Sequence, residues 1–276
     1  MENKNKRLKL ILTGLALFIT LLHAIPFYIL ITTALKTRGD FSSRWALPDY
    51  FTLENFAIAW EQANLGSAMI NSFLITAGAA VILILFGSMA AYPLARKNTK
   101  LNKAVLILFV AIMVVPPLTA LVPLYQLVVD IGLLNTRTIA VLVNAAAFMP
   151  LTIFLYSGFI RSTIPKELEE AARIDGANTL GIFFKIVFPL LKPVTASVLI
   201  VACVFIWNDY QFAIFFLQSS DVHTLTVTMD SYFTENQHNL GLVAAAAFIA
   251  MLPMAIMFLM LQKYFIAGLA SGAVKG

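Results

Sequence analysis

An all-α integral membrane protein of six transmembrane helices is the fold class this sequence predicts, on three observations. Hydrophobic residues make up 60% of the 276 and charged residues only 12%, against roughly 45–50% and about 25% in soluble domains. Mean hydropathy is +0.86. The apolar residues gather into stretches that, at about 1.5 Å rise per residue, are each long enough to cross a hydrocarbon core of about 30 Å. The basic residues, finally, sit between those stretches and concentrate in every second connection, so the formal charge of +5 reports topology rather than nucleic-acid binding.

Span one covers about residues 8–35 and follows Lys4, Lys6, Arg7 and Lys9. That start resembles a signal peptide, but the apolar run outlasts an h-region of about 7–15 residues and meets no small-residue cleavage site, which predicts an uncleaved anchor. His23 within it is expected to be packed or to face a partner. Span two covers about 68–95, span three 104–129, span four 139–160, span five 193–217 and span six 241–266, with residues 267–276 as a tail. Proline interrupts four of them: Pro26 in the first, Pro116, Pro117 and Pro123 in the third, Pro150 in the fourth, Pro253 in the sixth. Each removes an intrahelical hydrogen bond and can kink its helix, and the freed carbonyl then needs a partner in the bundle or a wet cavity. Simple tolerance of proline by membrane helices accounts for any one of these sites equally well. The Met and Phe residues between Phe248 and Phe258 read as packing. The single cysteine, Cys203, lies in an apolar run and allows neither an intramolecular disulfide nor a Cys-based metal site.

Orientation follows from the distribution of the 19 Lys and Arg. Fifteen fall before span one, between spans two and three, between four and five, and after six; only Lys36, Arg38, Arg44 and Arg137 fall on the opposite side. The positive-inside rule therefore places both termini in the cytoplasm. The connection Gln218–Leu240 carries Asp221, Asp230 and Glu235 with no Lys or Arg, as suits an outer loop.

Chemistry concentrates in the connection 161–192, which is too long and too patterned for a plain link. Ser162 or Thr163 can cap a helix with Pro165 and Glu167 in its first turn and Glu169 and Glu170 following, an arrangement that favours a helix start. Gly176 can end it in the left-handed conformation of a C-terminal cap. Asn178 or Thr179 then opens a second short helix running to Phe188. Leu168, Ala171, Ala172 and Asp175 recur at helical spacing, giving a small apolar ridge suited to a partner's groove. Packing of the same face on the chain's own bundle fits the periodicity equally.

Glu170-Ala171-Ala172, then three residues, Gly176, nine residues, and Ile186-Val187-Phe188-Pro189 resemble the EAA loop of binding-protein-dependent ABC importer permeases. Phe188 in place of the usual Leu is the one departure, and it stays apolar. The resemblance extends to the carbohydrate branch and its maltose-type G-subunit family. It is carried by Asn71-Ser72, Ala90-Ala91-Tyr92 with Ala95-Arg96, Pro116 with Pro123-Leu124-Tyr125, and Gly132-Leu133-Leu134-Asn135. Further on it is carried by Ile164 to Leu168, Asp175-Gly176-Ala177, Trp207-Asn208-Asp209, Tyr264-Phe265 with Gly268, and the ending Gly272 to Gly276.

What the resemblance implies is a type I ABC importer permease fold whose loop is a coupling helix seated in a cleft of an ATPase. Leu168, Glu170, Ala171, Ala172, Asp175 and Gly176 become the ATPase-coupling residues. It further implies a second permease subunit as heterodimer partner, two ATPase subunits carrying ATP and Mg, an extracytoplasmic sugar-binding protein, and a bacterial plasma (inner) membrane location. No cofactor or metal is expected on this chain, and nothing like G-x-x-x-x-G-K-[ST] occurs in it. The implied cargo is a di- or oligosaccharide, an α-galactoside such as melibiose or raffinose being the specific expectation.

Asp209 is the conspicuous acid of span five, and an ionisable group at membrane depth is a functional hypothesis by default. With Asn208 and Tyr210 beside it, it can line a sugar pathway; interfacial anchoring and polar packing against another helix remain open. Two other classes of function fit less well. An ion-coupled carrier tends to show repeats and several intramembrane charges, and a membrane enzyme needs a catalytic constellation that three His and one Cys do not assemble.

Overall fold

Long uninterrupted apolar sequence is built here almost entirely as helix. The structure, a computed structural model, describes residues 2–40 and 42–273, with side chains from residue 6 to residue 263. Its α-helices are α1 (Glu2–Ala34), α2 (Glu54–Gln62), α3 (Leu65–Ile82), α4 (Ser88–Arg96), α5 (Lys100–Ile112), α6 (Leu121–Asp130) and α7 (Arg137–Thr163). They continue with α8 (Lys166–Ile174), α9 (Thr179–Ile182), α10 (Phe188–Leu190), α11 (Lys192–Trp207), α12 (Gln211–Phe216), α13 (Leu225–Glu235) and α14 (Leu240–Ala273). Single π-helical turns at Leu83–Gly87 and Phe183–Val187 join α3 to α4 and α9 to α10.

Among the described residues, four stretches, Lys6–Ala34, Leu65–Arg96, Arg137–Thr163 and Leu240–Lys263, are long and apolar enough to cross a membrane as continuous helices. Expected span three is bent, Lys100–Ile112 meeting Pro117–Asp130 at 94°. Expected span five, 193–217, is not one helix: α11 ends at Trp207 and α12 starts at Gln211, and ahead of it Thr179–Leu190 meets Lys192–Trp207 at 71°. Pro116 and Pro117 explain the first bend, since the chain leaves the helix after Ile112 and Pro116 adopts an extended ψ of 126° before a 3-10 turn at Pro117–Ala120. Pro26, Pro150 and Pro253 stay inside continuous helices. The sequence-based end of span six also moves: α14 runs on to Ala273, through most of the expected tail, while Val274, Lys275 and Gly276 lie outside the described residues.

The chain divides into two units, Met1–Gly66 with Thr228–Leu252, and Ser67–Val227 with Pro253–Gly276. In the first, buried Asn55 donates to the carbonyls of Ala34 and Lys36 at 2.9 and 2.7 Å, satisfying groups that the end of α1 leaves without helical partners. Lys36 Nζ donates to Ser42 Oγ at 2.6 Å and to the Ser43 carbonyl at 2.8 Å. Hydrogen bonds from Ser42, with Lys36 alongside, hold the Asp40 carboxyl below the usual carboxylate range. The apolar side chains of α1 from Leu8 to Leu22 are exposed, as befits a surface meant for lipid or another chain. His23, also exposed, bonds the Ile19 carbonyl of its own helix.

The core of the second unit forms where α3, the first π turn and α4 cross α7. Close approach there depends on Gly87, because a Cβ at that position would lie 2.5 Å from Thr152 Cγ2. Ala91, Tyr92, Ile153, Tyr156, Ile160, Ile182, Phe183 and Val187 fill the interior next to it. Thr136 caps α7 by accepting from the Ile139 amide, and Thr99 caps α5 by accepting from Asn102.

Candidate functional site

The connection between α7 and α11 folds as two short helices around a glycine, as its sequence pattern predicts. Its start differs. α7 runs through Thr163, so Ser162 and Thr163 end one helix instead of capping the next, and Pro165, at φ −62°, occupies the N-cap of α8 with no side-chain cap. The extended Ile164-Pro165 pair is what breaks the helix here, since the residue before proline avoids the helical region. At the other end Gly176 adopts φ +85°. The Gly176 amide bonds the Arg173 carbonyl at 3.0 Å and the Ala177 amide bonds the Ala172 carbonyl at 2.9 Å, the paired bonds of a Schellman cap. Asn178 Oδ1 then accepts from the Gly181 amide to open α9. The second helix reaches Phe188 as expected and continues to Leu190 through the π turn at Phe183–Val187.

The two faces of α8 have different surroundings. Leu168, Glu170, Ala171, Asp175 and Ile174 are exposed, Ile174 by 87% and Leu168 by 45%. Ala172 is not on that face. It is buried in the interior with Ile160, Ile164 and Ile182, so the four-residue ridge read from periodicity is split and its exposed part is Leu168, Ala171 and Asp175. A helix of 3.6 residues per turn places Glu169, three positions before Ala172, on the same inner side.

Glu169 is 4% exposed. Its Oε1 accepts from Arg96 Nε at 2.6 Å and its Oε2 from the Tyr92 hydroxyl at 2.6 Å. The rest of the Arg96 guanidinium donates to the carbonyls of Ile160 and Ile164 at 3.1 and 2.8 Å, the last turn and C-cap of α7. Arg161 donates back to the Leu94 carbonyl at 2.7 Å. Removing one member of such a buried pair costs about 3–5 kcal/mol, because the other is left charged and unpaired. Beside it opens a cavity of about 520 Å³ into which Lys97, Lys166, Glu170 and Arg173 also face.

Asp209 is not inside a helix. α11 ends at Trp207, and Asp209 sits in the turn that leads to α12. Oδ1 accepts from the Phe212 amide at 3.1 Å, Oδ2 from Asn144 at 3.2 Å, and its carbonyl from Thr226 at 2.7 Å. Two segments thereby hold the carboxylate and a third holds the backbone of Asp209, which is partly exposed, while Asn208 and Tyr210 beside it are exposed. A second polar cluster fixes the chain just beyond. Asn71 donates to the carbonyls of Asp221 and His223 at 3.0 and 2.9 Å and accepts from Arg137 at 2.7 Å. Ser72 accepts from the Leu225 amide at 2.8 Å, and Asn135, at φ +59°, accepts from the amides of Gln218 and Ser219. Asn71-Ser72 and Asn135, read from sequence as motif members, thus pin residues 218–225.

The sequence profile of the family described as binding-protein-dependent transport system inner membrane component matches residues 83–270. The chain belongs to that family. It is 65% identical over 266 residues to the melibiose/raffinose/stachyose import permease protein MelC of Bacillus subtilis, covering 96% of each chain. The maltodextrin transport system permease protein MdxG of the same organism is 32% identical, with 94% of this chain and 95% of the relative covered. Among solved structures, a bacterial ABC transporter involved in the import of the acidic polysaccharide alginate superposes with a TM-score of 0.79 at 22% identity, over 94% of this chain and 97% of that one. The fold is therefore that of an ABC importer permease, and the chain is a non-catalytic transport subunit. Sequence reasoning missed Glu169 in this permease: it noted only an acid near a helix start, and no local signal finds it, because its partner Arg96 lies 73 positions away.

Proposed function

We propose that this chain is one of two permease subunits of an ATP-driven importer of α-galactoside oligosaccharides, with melibiose and raffinose as the type substrates. The 65% identity to MelC over nearly the whole of both chains carries the sugar class. The partners are a second permease, two ATPase subunits that bind ATP and Mg, and an extracytoplasmic sugar-binding protein; no cofactor is held by this chain. Both termini face the cytoplasm of a bacterial cell, a placement supported by the asymmetry of Lys and Arg.

In this reading α8 is the element that the ATPase grips. Support comes from its exposed Leu168, Ala171 and Ile174, apolar surface that water would not favour, bordered by Glu170 and Asp175, whose charge suits a basic rim. Gly176 supplies the turn that returns the chain to α9. ATP-driven closure of the ATPase pair displaces α8 and, through it, the spans, opening the pathway. On the far side Asn208, Asp209 and Tyr210 are the pathway candidates: an exposed amide, a partly exposed carboxylate and an exposed aromatic ring match the hydroxyls and apolar faces of a sugar. Deleting the gene is expected to abolish growth on melibiose and raffinose and leave growth on maltodextrin intact, with restoration by the wild-type copy. Unchanged growth on both galactosides, with loss of another sugar, would reassign the substrate.

A further inference from the structure

We propose that Glu169 is a positioning residue for energy coupling: through Arg96 and Tyr92 it makes α8 move as one body with the ends of spans two and four. The inference rests on the reading of α8 as the ATPase-gripped element. The chain itself attaches α8 to α7 by the extended Ile164-Pro165 pair and to α9 by the Gly176 turn, joints at which a helix can pivot. To α4, the end of span two, the chain offers no direct link, since more than sixty residues intervene. Glu169 supplies one. Its two oxygens are taken separately, one by Arg96 and one by Tyr92, both on α4, while the same guanidinium holds the Ile160 and Ile164 carbonyls of α7. One buried side chain of α8 therefore reaches span two through two directional bonds of 2.6 Å, and span four through the Arg96 guanidinium at 3.1 and 2.8 Å.

An apolar contact would fill this space without fixing direction, and replacing a buried ion pair with packed apolar groups is often neutral or stabilising. What the pair adds is resistance to sliding, because hydrogen bonds weaken steeply with misalignment. The cavity of about 520 Å³ beside it means that packing alone does not lock α8 laterally. Neighbouring Glu170 is exposed, so the two adjacent acids divide the work: one meets the partner, the other ties the helix to the spans.

The test uses the complete importer in proteoliposomes, with sugar uptake and binding-protein-stimulated ATP hydrolysis measured on the same vesicles. For Glu169→Gln, hydrolysis is expected to stay within about twofold of wild type while uptake falls about tenfold or more, as loss of a charged partner in a buried pair implies. Tyr92→Phe, which deletes one oxygen and leaves the ion pair, shifts the ATP-to-sugar ratio in the same direction by less and decides the matter if Glu169→Gln does not assemble. Uptake and hydrolysis falling in parallel, the mark of a merely structural role, would overturn the proposal, as would an unchanged ratio in both variants. Wild-type vesicles separate the two levels: no uptake there removes the functional reading and this inference with it, whereas normal wild-type uptake with unaltered variants removes this inference alone.

Discussion

Glu169 and Glu170 are adjacent acids with opposite surroundings, one bound by Arg96 and Tyr92 inside the protein and one facing out. Only the second is legible from sequence, because the first takes its meaning from an arginine 73 positions away. Gly176 was legible for the converse reason: a left-handed C-cap is a local preference, and the φ of +85° follows from it. Gly176→Val forces a β-branched residue into that conformation at a cost of about 1–3 kcal/mol. The variant is expected to insert in the membrane, by immunoblot of the membrane fraction, and to lose sugar uptake and ATPase retention. At Asp209 the carboxylate does a capping task that hydropathy cannot show. Asp209→Leu removes the acceptor of the Phe212 amide and one of the two acceptors of the Asn144 side chain, a loss of about 0.5–2 kcal/mol by analogy with helix caps. It should lower the Tm of the purified complex as well as uptake, and an unchanged Tm would show that the turn does not depend on it.

α8 shows how far periodicity reaches and where it stops at the level of an element. Helical spacing grouped Leu168, Ala171, Ala172 and Asp175, but a helix that packs on one side and is exposed on the other needs its boundary set by the neighbours, and Ile160, Ile164 and Ile182 claim Ala172. Two substitutions on this helix should therefore fail differently. Ala172→Leu overfills the interior by about 1–3 kcal/mol and is expected to lower the Tm of the purified permease. Leu168→Asp changes only an exposed face and is expected to leave that Tm unchanged while the ATPase no longer co-purifies. Equal behaviour of the two in both assays would contradict the division of faces. The bent spans divide in the same way. Pro116 and Pro117 announce the first bend, whereas the end of α11 at Trp207 goes unread because apolar residues resume at Phe212, Ala213 and Ile214 beyond the polar Asn208, Asp209 and Gln211. The π turns, which need an insertion and not a residue type, are likewise silent in the sequence.

For the whole molecule, hydropathy made the all-helical membrane architecture legible, because in a membrane every backbone group must be satisfied internally and long apolar helices are the simplest solution. The hydrogen bonds between Asn71, Ser72 and Asn135 and residues 218–225 were not, since they join side chains to carbonyls and amides far along the chain. Orientation is testable without the partners. With the buried native Cys203 in place, a cysteine at Gln237 should react with an impermeant reagent in intact cells and one at Ala177 should not; the reverse labelling would invert the topology. The central claim, that this permease passes sugar only under ATP-driven coupling, is tested most directly by labelled raffinose uptake. Proteoliposomes would hold the chain with its second permease and both ATPase subunits, with ATP and the binding protein supplied on their respective sides. The account predicts accumulation that needs both ATP and the binding protein and stops when either is left out. Accumulation that persists without ATP and follows an imposed proton or sodium gradient would contradict it.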